Sequence, residues 1–212
     1  MNKSLKIFFL ILLSFQAELF AQTNTWERIL TYTDVCELKK INQTDDGGFI
    51  VAGQDRIGNN NKMFIIKLNE YGDTLWSRHF DVNINSVYLG QWVDVTSDNG
   101  FIMCGIGNGI NGDAYVVKYD SLGNILWYKS FGGSSVDFGY CIRQLEDGGY
   151  IFLVNTNSFS SNVSTWLIRI DSSGNKMWSK LYPGGVGEIQ VLDKNLGFII
   201  TGTLNNKLFY SD

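Results

Sequence analysis

The chain has 212 residues, 44% of them hydrophobic and 14% aromatic, with 17 Lys and Arg against 21 Asp and Glu for a net charge of −4. That is enough apolar material for one domain with a real core. The mildly acidic balance and the lack of any basic cluster exclude nucleic acid as a partner, because neutralising phosphates takes concentrated Lys and Arg.

Residues 1–21 read as a secretory signal peptide. Lys3 and Lys6 start it, an apolar run from Ile7 to Leu13 with Phe15 follows, and Ala21 supplies the small residue expected before the cut. The apolar run is too short for a ~30 Å hydrocarbon core, which takes about 20 residues. No cysteine near the cut marks a lipid attachment. Removing Lys3, Lys6 and Glu18 takes the net charge from −4 to −5. The expectation is a secreted protein (extracellular, cell surface or periplasm) whose β-repeat domain spans 22–212, without a transmembrane segment.

A lone Trp-bearing segment, Thr25 to Tyr32, opens the domain. Trp26, Trp76, Trp127 and Trp178 are 50, 51 and 51 residues apart, and each is followed two positions later by Arg28, Arg78, Lys129 or Lys180. A period near 50 marks one supersecondary unit used repeatedly. Each unit begins with a segment ending in an acidic turn: Asp45-Asp46-Gly47-Gly48, Ser97-Asp98-Asn99-Gly100, Glu146-Asp147-Gly148-Gly149, and a weaker version at Asp193 to Gly197. Asp, Asn and Gly tolerate positive φ, so these are hairpin turns.

Continuous apolar runs follow the turns: Phe49-Ile50-Val51-Ala52, Phe101-Ile102-Met103-Cys104, Tyr150-Ile151-Phe152-Leu153 and Phe198-Ile199-Ile200-Thr201. Runs without alternation predict strands covered on both faces. A third strand comes next, at Met63 to Leu68, Ala114 to Tyr119 and Thr165 to Ile170, each closed by a turn such as Asp120-Ser121-Leu122-Gly123. The Trp strand follows as an exposed edge, its cation facing solvent. The one proline, Pro183, is expected outside the strands.

Four antiparallel strands per unit of about 50 residues predict an all-β fold, a β-propeller of about four blades. A β-sandwich of many short strands would not require this register. The fourth unit ends at Lys207 to Asp212 without a Trp strand of its own. The N-terminal strand either completes it and closes a monomeric ring, or the chain is an incomplete fragment of a larger propeller.

The motifs Asp46-Gly47-Gly48-Phe49-Ile50-Val51-Ala52-Gly53, Lys118-Tyr119-Asp120, Gly123-Asn124-Ile125-Leu126-Trp127 and Phe131-Gly132-Gly133 resemble the tandem β-propeller repeats of secreted and surface-attached bacterial proteins, many exported by the type IX route. The resemblance covers about residues 25 to 212. It implies a fold and a secreted setting, and that family shares no catalytic residues to carry over. Asp171 to Trp178 is similar, more distantly, to the docking motif of quinoprotein propellers, in which the Trp locks neighbouring blades together. Quinone enzymes also use adjacent cysteines, and Cys36, Cys104 and Cys141 are far apart, so no cofactor is expected. The three cysteines fall out of register with the repeat and read as small buried apolar residues, with one disulfide left open as an alternative.

His79 is the single histidine, matched by Ser130 and Leu181, which excludes a His-rich metal site. The Asp-bearing turns offer too few oxygens each for calcium, so no metal is expected. Gly105-Ile106-Gly107-Asn108-Gly109 follows a strand and opens no helix, so it is no phosphate loop. Comparing units with one another separates framework from variation. The segments 54–62, 106–113 and 155–164, and the links 81–91, 132–140 and 183–188, differ between units and are expected on one face. The candidate ligand contacts there are Arg56, Tyr88, Trp92, Phe138, Tyr140 and Phe159. The innermost strands carry a thinner polar set, Asn42, Asp94 and Arg143, at matching positions. These features point to a secreted, non-enzymatic binding module for a glycan, peptide or surface protein. The alternatives are a hydrolase or quinone-type oxidoreductase working through a carboxylate such as Asp94, and a truncated product of a longer gene.

Overall fold

The computed structural model describes residues 36–57, 60–80, 88–107, 112–160, 162–192, 197–204 and 207–208. The leader 1–21, the Trp26 strand and the chain beyond 208 lie outside the described residues. The fold is all-β. The first sheet runs β1 (Cys36–Gln43), β2 (Phe49–Ile57), β3 (Asn60–Leu68) and β4 (Thr74–His79), antiparallel and in sequence order. The second repeats this with β5 (Tyr88–Val95), β6 (Phe101–Gly107), β7 (Ala114–Tyr119) and β8 (Ile125–Phe131). The third has β9 (Asp137–Gln144), β10 (Tyr150–Thr156), β11 (Ser164–Ile170) and β12 (Lys176–Pro183), and the fourth β13 (Gly185–Val191), β14 (Phe198–Leu204) and β15 (Lys207–Leu208).

The sheets stack in chain order, and their first strands follow one another, β1 against β5, β5 against β9, β9 against β13. Period-2 alternation explains how one apolar run serves two interfaces. In β2, Ile50 and Ala52 face the second sheet, and in β6, Phe101 and Met103 answer them. The other residues of β6, Ile102 and Cys104, face the third sheet and meet Tyr150, Phe152 and Val154. Ile151 and Leu153 of β10 point onward to Ile189 and Ile200 of the fourth sheet. The stacking is directional, with the same face of each sheet meeting the same opposite face of the next. The first sheet's remaining face carries its own cluster of Phe49, Val51, Phe64, Ile66 and Leu68.

Both kinds of turn are built as their sequences imply. Asp46, Asp98 and Asp147 each accept the backbone N–H two residues on, from Gly48, Gly100 and Gly149. Asn99, with φ of 59°, takes the left-handed place that Gly47 and Gly148 fill elsewhere. Under each turn sits a buried cation from the third strand. Lys67 donates to Thr44 Oγ1 and Asp46 Oδ1, both at 3.0 Å, Lys118 donates to both oxygens of Asp98, and Arg169 grips Asp147. These charges are desolvated but fully partnered, the condition under which burial is tolerated. The Asp carboxylates are therefore committed to turn and clamp.

The Trp strands β4, β8 and β12 are exposed edges, as their cations imply. The rings nevertheless reach the next sheet. Trp76 meets Phe101 with ring centroids 5.9 Å apart, and Trp127 meets Tyr150 at 6.0 Å. Each ring covers a turn glycine of that next sheet. A Cβ placed at Gly123 would lie 2.8 Å from Trp76, and one at Gly174 would lie 2.8 Å from Trp127. The cation two residues on is more than a solvated charge. Arg78 stacks over Trp76 and donates to the Leu122 carbonyl across the interface. Trp178 is 44% exposed.

Two expectations need correction. Pro183 ends β12 opposite Ser164 rather than lying outside the strands, which an outer strand tolerates because the position needs no ladder donor. The links 81–91, 132–140 and 183–188 are also partly strand, with β5, β9 and β13 starting at Tyr88, Asp137 and Gly185, and the first strands of the first three sheets run through a bulge at Lys39, Gln91 or Tyr140. An extra residue bends the strand and increases its twist while pairing continues beyond it.

Candidate functional site

Side chains that differ between the repeats gather in two places. The first is the inner row, the line of first strands β1, β5, β9 and β13 that contact one another in sequence. One position in each strand after the bulge holds Asn42, Asp94, Arg143 and Gln190, fixed by pairing to Ile50, Ile102, Ile151 and Ile199. Asn42 Nδ2 donates to Asp94 Oδ1 at 3.1 Å and to the Val93 carbonyl at 2.9 Å. Arg143 donates to the same Asp94 oxygen at 3.0 Å, and across the next interface to Glu188 and to the Ile189 carbonyl, both at 3.3 Å. One polar chain thus links all four sheets, one bond or more per junction. Trp92 lies in this row, with the Lys40 ammonium 4.0 Å and the Arg143 guanidinium 4.9 Å from its ring centre, a cation–π arrangement. Its buried Nε1 has no partner. Burial raises the Asp94 pKa above the usual carboxylate value, against the pull of Arg143 and Lys40.

The second place is the end of the stack opposite the acidic turns, where the segments after the second strands meet the links between sheets. Asp137 N–H donates to the Gly112 carbonyl, Asn157 N–H to Val136, and Gly184 N–H to Val163. Ser158 Oγ donates to Asp137 Oδ2 at 2.6 Å and accepts from Ser135 N–H at 3.0 Å, and Gly133 N–H donates to the same Asp137 oxygen. Asp137 is fully buried and its other oxygen has no partner. Asp113 and Asp137 crowd the same glycine, Gly132. Burial and the neighbouring Asp137 charge both raise the Asp113 pKa. Beside them Phe159, 47% exposed, stands edge-on to Trp166 with centroids 4.8 Å apart.

The six candidate contacts do not form one patch. Phe159 lies on the loop end. Phe138 is half-buried on β9, paired with Asn155. Tyr140, at the bulge of β9, packs on the core between the third and fourth sheets. Trp92 belongs to the inner row. Arg56 and Tyr88 fall on β2 and β5, and their side chains lie outside the described set. Five of the six therefore sit on strands, because the strands reach into segments whose turn-free polarity reads as loop.

Lys40, Glu188, Asp113, Asp137 and Ser158 were not singled out by sequence. Lys40 and Trp92 do share one repeat position, which an alignment of the units exposes. Asp113 and Asp137 have no such cue, since their encounter depends on how adjacent sheets stack.

His79 Nε2 lies 3.2 Å from Asp55 Oδ2 across β3, a partly buried pair. Cys104 and Cys141 are free and buried between sheets, as small apolar residues would be. Burial pushes the Cys141 thiol up to about 12. Among the described residues no three His, Cys, Asp or Glu side chains group to hold a metal, and no helix is long and apolar enough to cross a membrane.

What the fold defines is an all-β chain of repeated four-stranded antiparallel sheets. No family model matches the chain, and no curated protein does. Among solved structures it is similar to the tail fibre of Staphylococcus aureus phage P68, at 9% identity over 87% of this chain and 50% of that one, with a TM-score of 0.30. The chain spans half the length of that protein, and a likeness at this score carries no argument.

Proposed function

We propose that this chain is a secreted β-propeller of the tandem-repeat kind, acting as a non-enzymatic binding module for a glycan, peptide or surface protein. The directional stacking of four sheets with successive inner strands supports the propeller reading, since it is the arrangement in which blades follow one another around an axis. The single observation that carries the binding reading is the convergence of unrepeated segments at one end. There the 112–113, 132–137 and 157–159 segments interlock around Asp137 and leave Phe159 exposed. A scaffold whose turns and apolar strands repeat presents variable segments on that surface, as rigid folds with variable loops do.

The enzyme reading draws less support. Asp94, its best carboxylate, spends Oδ1 on Asn42 and Arg143. The test is a screen of the leader-free chain against glycan and peptide arrays, followed by Phe159→Ser and Val136→Ser, both at exposed positions of this surface, on any hit. Loss of at least tenfold in affinity with an unchanged melting temperature is expected. A hit that survives both substitutions would place the ligand elsewhere and overturn this surface.

A further inference from the structure

The main-chain N–H of one turn residue is treated differently at successive junctions between sheets. It belongs to Asp45 in the first sheet, Ser97 in the second and Glu146 in the third. At the second junction Gln144 reaches back from the third sheet and caps it. Its Oε1 accepts from Ser97 N–H at 2.7 Å while its Nε2 donates to the Gly148 carbonyl at 3.2 Å. One carboxamide thus bridges a donor on one sheet and an acceptor on the next, and the hydroxyl of the buried Tyr150 adjoins it.

The first and third junctions are built differently at the same place. Register equates Val95, Gln144 and Val191, which pair with Phe101, Tyr150 and Phe198 in their sheets. Valine brings no polar head and phenylalanine no hydroxyl, so neither group that closes the second junction is supplied. A cavity of about 360 Å³ opens at the first junction against Asp45, Val95, Asn99 and Phe101, and one of about 210 Å³ at the third against Glu146, Val191 and Phe198. In the first cavity the equivalents of both anchors are present. Asp45 N–H stands for Ser97 N–H, and the Asn99 carbonyl for that of Gly148, these two residues sharing the left-handed turn position. Among the described residues neither group has a partner.

We propose that the first cavity is a binding site for a primary carboxamide, the group on a peptide's glutamine side chain, with its oxygen on Asp45 N–H and its nitrogen on the Asn99 carbonyl. The methylene stem lies on Val95 and Phe101, and Gln144 is the internal copy of this ligand. A carboxylate of the same shape accepts but cannot donate. It also meets the ionised Asp46, whose pKa is lowered to about 2 by Thr44 and Lys67. The site therefore selects amide over acid by one hydrogen-bond donor and one charge. It lies at the turn end, opposite the loops around Phe159, and does not depend on the binding reading above.

The test is an amide-resolved NMR titration of the leader-free chain with N-acetylglutamine methylamide, and with N-acetylglutamate methylamide as control. The glutamine probe is expected to shift the Asp45 resonance saturably, with the millimolar affinity that so few contacts allow. The glutamate probe should bind at least about tenfold more weakly. Val95→Gln supplies the carboxamide from within. It should protect the Asp45 amide from hydrogen exchange, as Gln144 does for Ser97, and weaken the glutamine probe at least about tenfold. Gln144→Val is the reciprocal change and should bring a saturable shift to Ser97. Propionamide separates the sources: binding equal to the glutamine probe assigns the site to small free amides, and weaker binding assigns it to peptide side chains. No saturable shift at Asp45, equal affinity for the glutamate probe, or a shift unaltered by Val95→Gln would overturn the proposal. A ligand held at the loop end would shift Phe159 and leave Asp45 unmoved, so the two readings fail separately.

Discussion

Gly148 and Gly174 offer a controlled pair for measuring the tryptophan contact between sheets. Both lie in hairpin turns of the third sheet with nearly the same backbone, φ 81° and 80°. A Cβ at Gly148 would meet nothing within 4 Å, whereas one at Gly174 would lie 2.8 Å from Trp127 and 3.0 Å from Lys129. Alanine in a left-handed position costs about 1–2 kcal/mol, offset by about 0.4–1 kcal/mol from the smaller entropy of the unfolded chain. Gly148→Ala is therefore expected to destabilise by about 1 kcal/mol. Gly174→Ala carries the same backbone cost and must also displace the Trp127 ring, an overpacking cost of about 1–3 kcal/mol. Urea unfolding followed by circular dichroism gives both numbers, with unchanged m-values as the condition for comparing them. In a Trp127→Ala background the two alanines should come within about 1 kcal/mol of each other, since only the flexible Lys129 stem, 3.0 Å from the added Cβ, then separates them. Equal costs in the wild-type background would refute the idea that Trp127 holds the third sheet through this glycine.

Trp127→Ala itself should cost about 2–3 kcal/mol, because a half-buried tryptophan removes of the order of 100 Å² of apolar surface from water at about 25 cal/mol/Å². Trp178→Ala, on a ring 44% exposed, should cost less than Trp127→Ala in the same assay. Acid should loosen the turns in a defined window. The Thr44 hydroxyl and Lys67 lower the Asp46 pKa to about 2, and Thr96 and Lys118 outweigh burial to bring Asp98 to about 2, both from 3.8. A lowered folded-state pKa contributes stability that is full above 3.8 and lost as pH falls towards 2. The exposure of these carboxylates keeps each contribution well under the ~1.4 kcal/mol per unit of full linkage. A pH series of urea midpoints should fall across that window and fall less in Asp46→Asn. Finally, Cys104 and Cys141 should resist a thiol reagent in the native chain and react within seconds in denaturant. Rapid native labelling of either, located by mass spectrometry, would contradict their burial.

The parts of the fold legible in the sequence are those whose causes are local. Positive-φ turns need Gly, Asn or Asp at fixed places, and strands covered on both faces need unbroken apolar runs, so Asp46 to Ala52 announces a hairpin and a buried strand together. The matching of Asn42, Asp94 and Arg143 was also visible, because equal repeat positions occupy equal places in equal sheets. What escaped depends on geometry between units. The bulges at Lys39, Gln91 and Tyr140 add one residue without a composition signal, and they move Tyr140 from an expected loop into a core contact. Lys67, Lys118 and Arg169 look like ordinary strand-end cations, and only the fold of the turn over the third strand buries them. Glu188 and Lys40 join the inner row through neighbouring sheets, which no single repeat encodes.

The raised pKa of Asp94 has a structural cause in the row of first strands. Burial holds the Asp94 carboxyl above its usual range, the feature that in a cleft would mark a general acid or base. Here the same oxygen accepts from Asn42 of the preceding sheet and Arg143 of the following one. Asp94 Oδ1 is thus shared between the neighbouring sheets and helps hold three of them in register. Arg143 repeats the pattern, dividing its donors between Asp94, Glu188 and a main-chain carbonyl. Removing one partner strands a desolvated charge and costs more than the bond itself contributes. Asp94, Arg143 and Glu188 therefore behave as one cross-sheet tie.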